Sequence, residues 1–312
     1  MGETALIDAF LRPFGSGGAG VRVGPGSDCA AVRLSRGQLL VATTDAVVEG
    51  VHFDRRWFAP EDIGHKALAV NLSDLAAAGA RPRWFLCALG VPPREAGVVR
   101  YAARMARGMA GLARAYGCAI IGGNVSAASE WSVTITALGE ARRPLTRAGG
   151  RPGDALVVAG RLGDAAAALR SLSAPGAAAR TALRAQLRPT PLVEAGLAAA
   201  DLASAAIDVS DGLLRDLGHL CAQSGCGAVV ECTALPVGRL ARRAPDAIEL
   251  ALSGGEDYAL LFAVRPRRLR ALLRAIPGAV EIGRLAASPG LFLTERGAPR
   301  PLPAHLGFDH LG

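Results

Sequence analysis

Five aspartates in this chain occupy places that ordinary surface carboxylates rarely take. Asp28 stands at the entrance to an apolar strand, and Asp45 follows the run Leu39–Ala42. Asp74 lies inside an Ala/Leu/Val helix, while Asp208 and Asp211 frame the pentapeptide DVSDG behind another strand. A carboxylate buried without a partner is strongly destabilising, so each of these needs a donor or a cation. Gathered together they repel one another unless divalent ions bind them, and Mg²⁺ prefers carboxylate, hydroxyl and water oxygens. Thr43 and Thr44 beside Asp45 add hydroxyl oxygens to the set. A site with several Mg²⁺ ions and few fixed bases suits phosphoryl transfer, where charge neutralisation and alignment matter most. Singly, each Asp could be a turn or cap residue; five placed alike argue for a metal site.

Two glycine-bearing junctions offer places for phosphate. DVSDG sits between a strand and a helix whose first amides can face an anion. Gly122-Gly123-Asn124 occupies a similar strand exit, where glycine lets a phosphate approach the backbone, although turns need glycine anyway. GGEDY puts Glu256 ahead of a buried strand, where Glu256 and Asp257 could equally cap a turn. Other phosphate and catalytic signatures are missing. The sole lysine, Lys66 in GHKA, cannot supply a P-loop, and neither H-R-D nor D-F-G occurs. The histidines form no H-E-x-x-H, and there is no G-x-S-x-G or strand-borne G-x-G-x-x-G.

The apolar period predicts the elements that position these groups. Leu39–Ala42 reads as a buried strand ending at Thr43-Thr44-Asp45. From Pro60 the period is helical, with Glu61 and Asp62 suiting the dipole and Gly79 and Pro82 as stops. Ile63, Ala67, Val70 and Leu75 form its apolar face, with Asn71 and Asp74 three apart among them. Glu3–Phe14 predicts a helix before the link GSGGAG, and Glu95–Tyr116 a second. Trp84–Val91, Cys118–Ile121 and Trp131–Gly139 predict strands. Residues 140–154 carry no apolar period and mark a boundary between domains 1–145 and 146–312. Beyond it, strands at Ala155–Ala159, Ala205–Val209, Ala228–Cys232, Ala259–Val264, Val280–Leu285 and Leu291–Thr294 are expected. Helices at Asp164–Leu172, Ala177–Leu187, Leu192–Leu202, Leu213–Gln223 and Arg267–Ala275 separate them. Such alternation in both halves argues an α/β architecture.

Composition narrows the function classes. A chain of 312 residues, 51% hydrophobic and 20% charged, can bury one large or two medium cores. Its net charge of +8 is carried almost wholly by arginine, spread along the chain with few aromatics, which argues against nucleic acid. Cys29, Cys87, Cys118, Cys221, Cys226 and Cys232 include no C-x-x-C and no zinc spacing, as expected of reduced thiols in a cytoplasmic protein. No run of 18 uncharged apolar residues occurs, so no membrane span is predicted.

In order, GSDCAAV, TTDAVVEGVHF, IGHKALAVNLSDLAAAGA, ITALGE, LTRAG, AIDVSDGLLRDLGHL and SGGEDYALLF resemble the thiamine-monophosphate kinase family over nearly the whole chain. NLSDLAAAGA and DVSDG belong to its wider superfamily, with aminoimidazole ribonucleotide synthetase, selenophosphate synthetase and a hydrogenase maturation factor. VEGVHF, LTR and SGGEDY point more narrowly to the kinase. The N-terminal Cys beside a lysine of selenophosphate synthetase and the terminal Cys of the hydrogenase factor are not found.

The resemblance implies an α/β (α+β two-domain) fold of the aminoimidazole ribonucleotide synthetase type. Its N-terminal half would bind ATP and magnesium and carry a dimerising sheet, and its C-terminal half would be α/β. It implies direct in-line transfer from ATP to thiamine monophosphate, giving thiamine diphosphate, in a homodimer using several Mg²⁺ ions. By position, Asp28, Thr43, Thr44, Asp45, Asp74, Asp208 and Asp211 would be magnesium ligands, with Asp45, Asp74, Asp208 and Asp211 the catalytic set. Gly122, Gly123, Arg147 and Ser210 would contact ATP, and His52, Glu256 and Phe308 the thiamine substrate. Two positions depart from the family. Gly26-Ser27-Asp28 replaces Gly-Asp-Asp, and Asn124 replaces a magnesium-binding Asp, which removes one charge while keeping an amide oxygen. Another ATP-using enzyme of the superfamily, or a degenerate nucleotide-binding protein, are the alternatives that Asn124 keeps open.

Overall fold

The computed structural model describes residues 3–15, 18–25, 29–171 and 183–308. They divide into two units, one running to Leu75 and resuming over Arg81–Arg142, the other formed by Ala76–Ala80 and the chain from Arg143 onward.

In the first unit, helices α1 (Glu3–Leu11), α2 (Pro60–Ala77) and α3 (Val98–Ala115) accompany two sheets. The short strands β1 (Val21–Val23) and β2 (Ala31–Val32) pair with each other. Strands β3 (Leu39–Val48), β4 (Arg81–Val91), β5 (Ala119–Ala127) and β6 (Ser132–Ala141) form a sheet in the order β3-β6-β4-β5. Its pairings are antiparallel except β4–β5. Val133, Ile135 and Ala137 of β6 alternate with less buried threonines, so one face of the sheet is turned to the core. Helix α2 is buried on nearly all sides, Lys66, Asn71 and Ser73 included.

Two strands differ from their predicted extents. β3 does not end at Thr43-Thr44-Asp45 but pairs with β6 as far as Val48, because the ladder satisfies the backbone whatever the side chains are. Nor is it a buried strand. It is an edge, and Leu39 and Leu40 are 57% and 48% exposed. β5 likewise runs through Gly122-Gly123-Asn124 to Ala127, paired with β4, so these residues lie mid-strand and form no turn.

The crossing of α2 and α3 explains two helical glycines. A Cβ on Gly64 would lie 1.9 Å from the Met105 carbonyl oxygen, and one on Gly108 would lie 1.9 Å from that of Glu61. The backbones therefore touch directly, and the Arg104 guanidinium bonds both Glu61 oxygens at 2.8 Å beside the contact.

In the second unit the strands are β7 (Ala155–Ala159), β8 (Ala203–Val209), β9 (Gly227–Glu231), β10 (Ala259–Val264), β11 (Val280–Ala286), β12 (Leu291–Glu295) and β13 (Ala298–Arg300). They form one sheet ordered β13-β12-β9-β11-β7-β10-β8, antiparallel at every pairing but β9–β12. Helices α4 (Asp164–Ser171), α5 (Arg184–Leu187), α6 (Val193–Ala199), α7 (Leu213–Ser224), α8 (Ala247–Ser253) and α9 (Pro266–Ala275) intervene. Alternation along the chain thus coexists with a mixed, mainly antiparallel sheet. Strands β7 and β10 are buried throughout, and Leu213, Leu214 and Leu217 of α7 pack into the same core as Leu156, Ile207 and Leu261. Of the helix expected over Ala177–Leu187, Arg184–Leu187 is helical and residues 177–182 lie outside the described residues, as does Asp28.

Gly108→Ala is expected to lower the unfolding free energy by about 1–3 kcal/mol through overpacking at the crossing. Gly111→Ala on the same helix, where an added Cβ meets nothing within 4 Å, should leave it unchanged or raise it. Urea midpoints of the two variants check the contrast.

Candidate active site

Strand β3 and helix α2 hold the first cluster of expected ligands. Thr43 donates its hydroxyl hydrogen bond to Asp74 at 2.5 Å. The Asp45 amide donates to Asn71 Oδ1 at 3.1 Å, while Asn71 Nδ2 donates to the Ala67 carbonyl at 3.0 Å. Asn71 and Asp74 share a helix face because they are three residues apart, so both reach the same strand.

Strand alternation divides the triplet Thr43-Thr44-Asp45. Thr43 and Asp45 pair across the ladder with the buried Ala137 and Ile135, and so face the core side. Thr44 points to the other face, where its hydroxyl donates to the Ile135 carbonyl at 3.0 Å and lies 3.2 Å from that of Thr136. The register also sets Asp45, Ile135, Cys87 and Gly123 in one row. Gly123 is thus three strand spacings from Asp45, about 14 Å along the sheet. Asn124, opposite Ala88, takes the other face, so within one chain the strands do not bring it to Asp45. Glycine at 123 has a packing reason, since a Cβ there would meet the Cys87 carbonyl oxygen at 1.9 Å.

His52 lies in the turn after β3. Its Nδ1 accepts the Val48 amide at 3.2 Å, and its carbonyl accepts the Lys66 ammonium at 3.0 Å. Lys66 is 1% exposed and stands 5.3 Å from the Phe58 ring centroid. Sequence reasoning gave Lys66 no such role. The available signal was a single lysine retained in a chain whose other cations are all arginine.

In the second unit, β8 delivers Asp208 and α7 begins after Gly212. Asp216, one turn into α7 and 3% exposed, accepts hydrogen bonds from the amides of Ser210, Asp211 and Gly212 at 3.0, 3.1 and 3.2 Å. Asp216 lies within the motif DVSDGLLRDLGHL, but nothing in its residue type marks it apart from the other acids there. The Ser210 carbonyl accepts the Glu256 amide at 2.6 Å, and the Asp211 carbonyl accepts the Phe308 amide at 2.9 Å. Arg215 lies 3.5 Å from the Asp211 carboxylate and also donates to the Phe308 carbonyl. Gln186 donates to the Glu256 carboxylate. Ser210, Asp211, Glu256 and Phe308, up to about a hundred residues apart in sequence, are therefore neighbours. Arg147 is not placed with them. Its carbonyl is bound by Ser224 at the far end of α7, about 18 Å from Ser210 by helix length.

Burial and the nearby Asp211 charge push the Asp216 carboxyl up to about 7, against the pull of its three amides. Asp257 is also pushed up to about 7, mainly by burial, although Gly163 and Ala165 donate their amides to it at 2.5 and 3.2 Å. All the cysteines but Cys29 are buried, and burial pushes Cys87, Cys118 and Cys221 up to about 12. Among the described residues, no three of His, Cys, Asp and Glu form a group that could hold a metal ion by themselves. The oxygen donors present are hard carboxylates and a hydroxyl, the type that Mg²⁺ takes together with water and substrate phosphates.

Both units match known domains. The AIR synthase related protein N-terminal domain fits residues 26–141 and the C-terminal domain residues 151–295, which defines the class of this two-unit chain. The thiamine-monophosphate kinase of Salmonella typhimurium is 38% identical, across 99% of this chain and 98% of that protein. The crystal structure of the thiamine-monophosphate kinase from Stenotrophomonas maltophilia is 35% identical with a TM-score of 0.83, covering 96% of this chain and 98% of that one. A ThiL structure complexed with AMPPCP and TMP is 32% identical with a TM-score of 0.80, covering 99% of this chain and 97% of its own. The chain belongs to the thiamine-monophosphate kinase family. No described helix is long and apolar enough to cross a membrane.

The Asp257 shift fixes a sign for stability. Raised from 3.8 to about 7, the folded carboxyl keeps a proton that the unfolded chain has released. Its stabilisation is complete below the unfolded value and is lost as pH rises through the folded one. Asp257→Asn is expected to reduce the fall in unfolding free energy between roughly pH 4 and pH 8. Urea titrations across that range check this, and an unchanged slope would place the effect on another group.

Proposed function

We propose that this chain transfers the terminal phosphate of ATP to thiamine monophosphate, giving thiamine diphosphate. The observation that carries the reading is full-length similarity to thiamine-monophosphate kinases, one of them complexed with AMPPCP and TMP. The assembly of DVSDG, SGGEDY and the segment carrying Phe308 supports it.

Magnesium ions at this site would supply neutralisation of the phosphate charges. Asp28, Asp45, Asp74, Asn124, Asp208 and Asp211, with the backbone or hydroxyl oxygens of Thr43 and Thr44, are the residues proposed to hold them. Ser210 and Gly122-Gly123 are proposed to contact ATP, and Arg147 to bring a guanidinium to its phosphates. His52, Glu256 and Phe308 are proposed to contact thiamine monophosphate. With Nδ1 accepting from Val48, the neutral His52 ring carries its proton on Nε2 and can donate there. The attacking group is a phosphate monoester oxygen, already anionic, so the nucleophile needs no strong base. In-line attack then depends on alignment and on suppressing repulsion between two anions.

The homodimer belongs to the same proposal. Among the described residues β3 and β5 are open edges, and exposed Leu39 and Leu40 add an apolar patch to one of them. A second copy covering these edges is the arrangement proposed, with light scattering as its check.

Purified protein supplied with ATP, Mg²⁺ and thiamine monophosphate should form thiamine diphosphate. Asp45→Ala and Asp74→Ala are each expected to reduce turnover by roughly a hundredfold or more while keeping the unfolding transition. Near-normal turnover in either would remove that residue from the metal site. Asn124→Asp is expected to lower the free Mg²⁺ needed for half-maximal activity at saturating ATP, because it restores a charge. Identical midpoints for the two proteins would leave Asn124 outside the metal site.

A further inference from the structure

A cavity of about 610 Å³ opens in the second unit beside the exit of β7, helix α5 and the turn around Arg239–Arg243. Five guanidinium groups line it, those of Arg161, Arg184, Arg188, Arg239 and Arg243. None of the residues proposed above for ATP, magnesium or thiamine is in its lining.

The two acids of the lining are committed to backbone amides. Asp164 Oδ1 accepts from Leu240 and Ala241 at 2.9 and 3.0 Å, and so fixes the turn that carries Arg239 and Arg243. Asp257 accepts from Gly163 and Ala165 and fixes the turn after Arg161. Among the described residues, no carboxylate forms an ion pair with Arg161, Arg184, Arg239 or Arg243. Arginines elsewhere in the unit do find acids: Arg170 bridges Asp246, Arg265 bridges Asp154, and Arg300 bridges Glu249 and Glu295. An arginine-rich composition alone therefore does not account for the gathering at the cavity.

Guanidinium groups keep their charge at any working pH and repel one another when clustered. With both acids ionised and Arg188 left aside, the other four arginines still give the lining a net charge of +2. Arginine forks match phosphate oxygens in pairs, and an inorganic or organic diphosphate carries about three negative charges near neutrality. The volume suits a small molecule. We propose that this cavity is a binding site, separate from the phosphoryl-transfer site, for a small organic molecule bearing a diphosphate group. Asp257 in its wall follows Glu256, so an occupant would lie one residue from a proposed thiamine contact.

The test is calorimetric titration of the full chain with inorganic diphosphate in EDTA. Without magnesium the aspartates of the transfer site repel the anion, so binding reports the arginines. One site per chain is expected, weakened about tenfold or more in the double variant Arg161→Ala/Arg239→Ala. Arg170→Ala, whose guanidinium is paired with Asp246, should bind as the unaltered chain does. No binding at ~1 mM, or equal affinity in the double variant with its unfolding transition intact, overturns the proposal. ADP and thiamine diphosphate titrated in the same buffer separate two sources of the group. Tighter binding of either identifies the organic part, and binding of inorganic diphosphate alone overturns the organic assignment. Kinase activity does not enter this measurement, so the failure of one reading leaves the other standing.

Discussion

Three successive amides, those of Ser210, Asp211 and Gly212, converge on one oxygen of Asp216, and the second unit's chemistry hangs from that contact. A loop between a strand and a helix has no ladder partner for such donors. Each left unbonded in a buried place would be destabilising by about 1–3 kcal/mol. Once the loop is fixed, its outward carbonyls become docking points. That of Ser210 receives Glu256 and that of Asp211 receives Phe308. Gly212, with φ of 127°, lets the Ser253 carbonyl approach a position where a Cβ would stand 2.9 Å away. Three distant segments thereby meet around a single acid. The arrangement crowds negative charge, since Asp211 pushes the Asp216 carboxyl upward, and a cation at Asp211 would relieve that repulsion.

The first unit solves the opposite problem. Its polar groups lie on a helix buried almost all round, so they must be supplied with partners from a neighbouring strand. Asn71 does this with both ends of its amide, one on its own helix and one on Asp45 of β3. Close approach of α2 to α3 through Gly64 and Gly108 leaves the helix little freedom to slide. Asp74 is then presented to Thr43 by packing that involves neither residue.

What sequence revealed follows from the range of the forces concerned. Apolar period and punctuation located most helices and strands, because burial acts on every residue of an element. Motif order revealed the family, since DVSDG and SGGEDY are contiguous and keep their residue types. The ends of β3 and β5 were missed because pairing, not side-chain character, decides where a ladder stops. Asp216 was missed because its donors are backbone amides, which leave no trace in residue type, and Lys66 because being the sole lysine does not say what it touches. The arginine cavity was invisible for another reason. Its five side chains come from three separate stretches of an arginine-rich chain, and only folding brings them to one wall.

Backbone strain adds an argument about Glu256 that neither motif nor burial provides. Glu256 and Tyr258 have φ of 66° and 49°, a left-handed conformation that for such side chains costs about 1–2 kcal/mol each. Two glycines stand immediately before them, at Gly254 and Gly255, yet the strained positions fall on the residues with side chains. Their amides are held by the Ser210 and Val209 carbonyls at 2.6 and 2.8 Å, so the segment is pinned against relaxing. A turn serving only to reverse the chain would be met more cheaply by glycine at those positions. The side chains are therefore kept for what they reach: Glu256 is held by Gln186, and Tyr258 forms part of the arginine cavity's wall. Strain at this point orients side chains toward the two proposed sites from one short stretch of backbone.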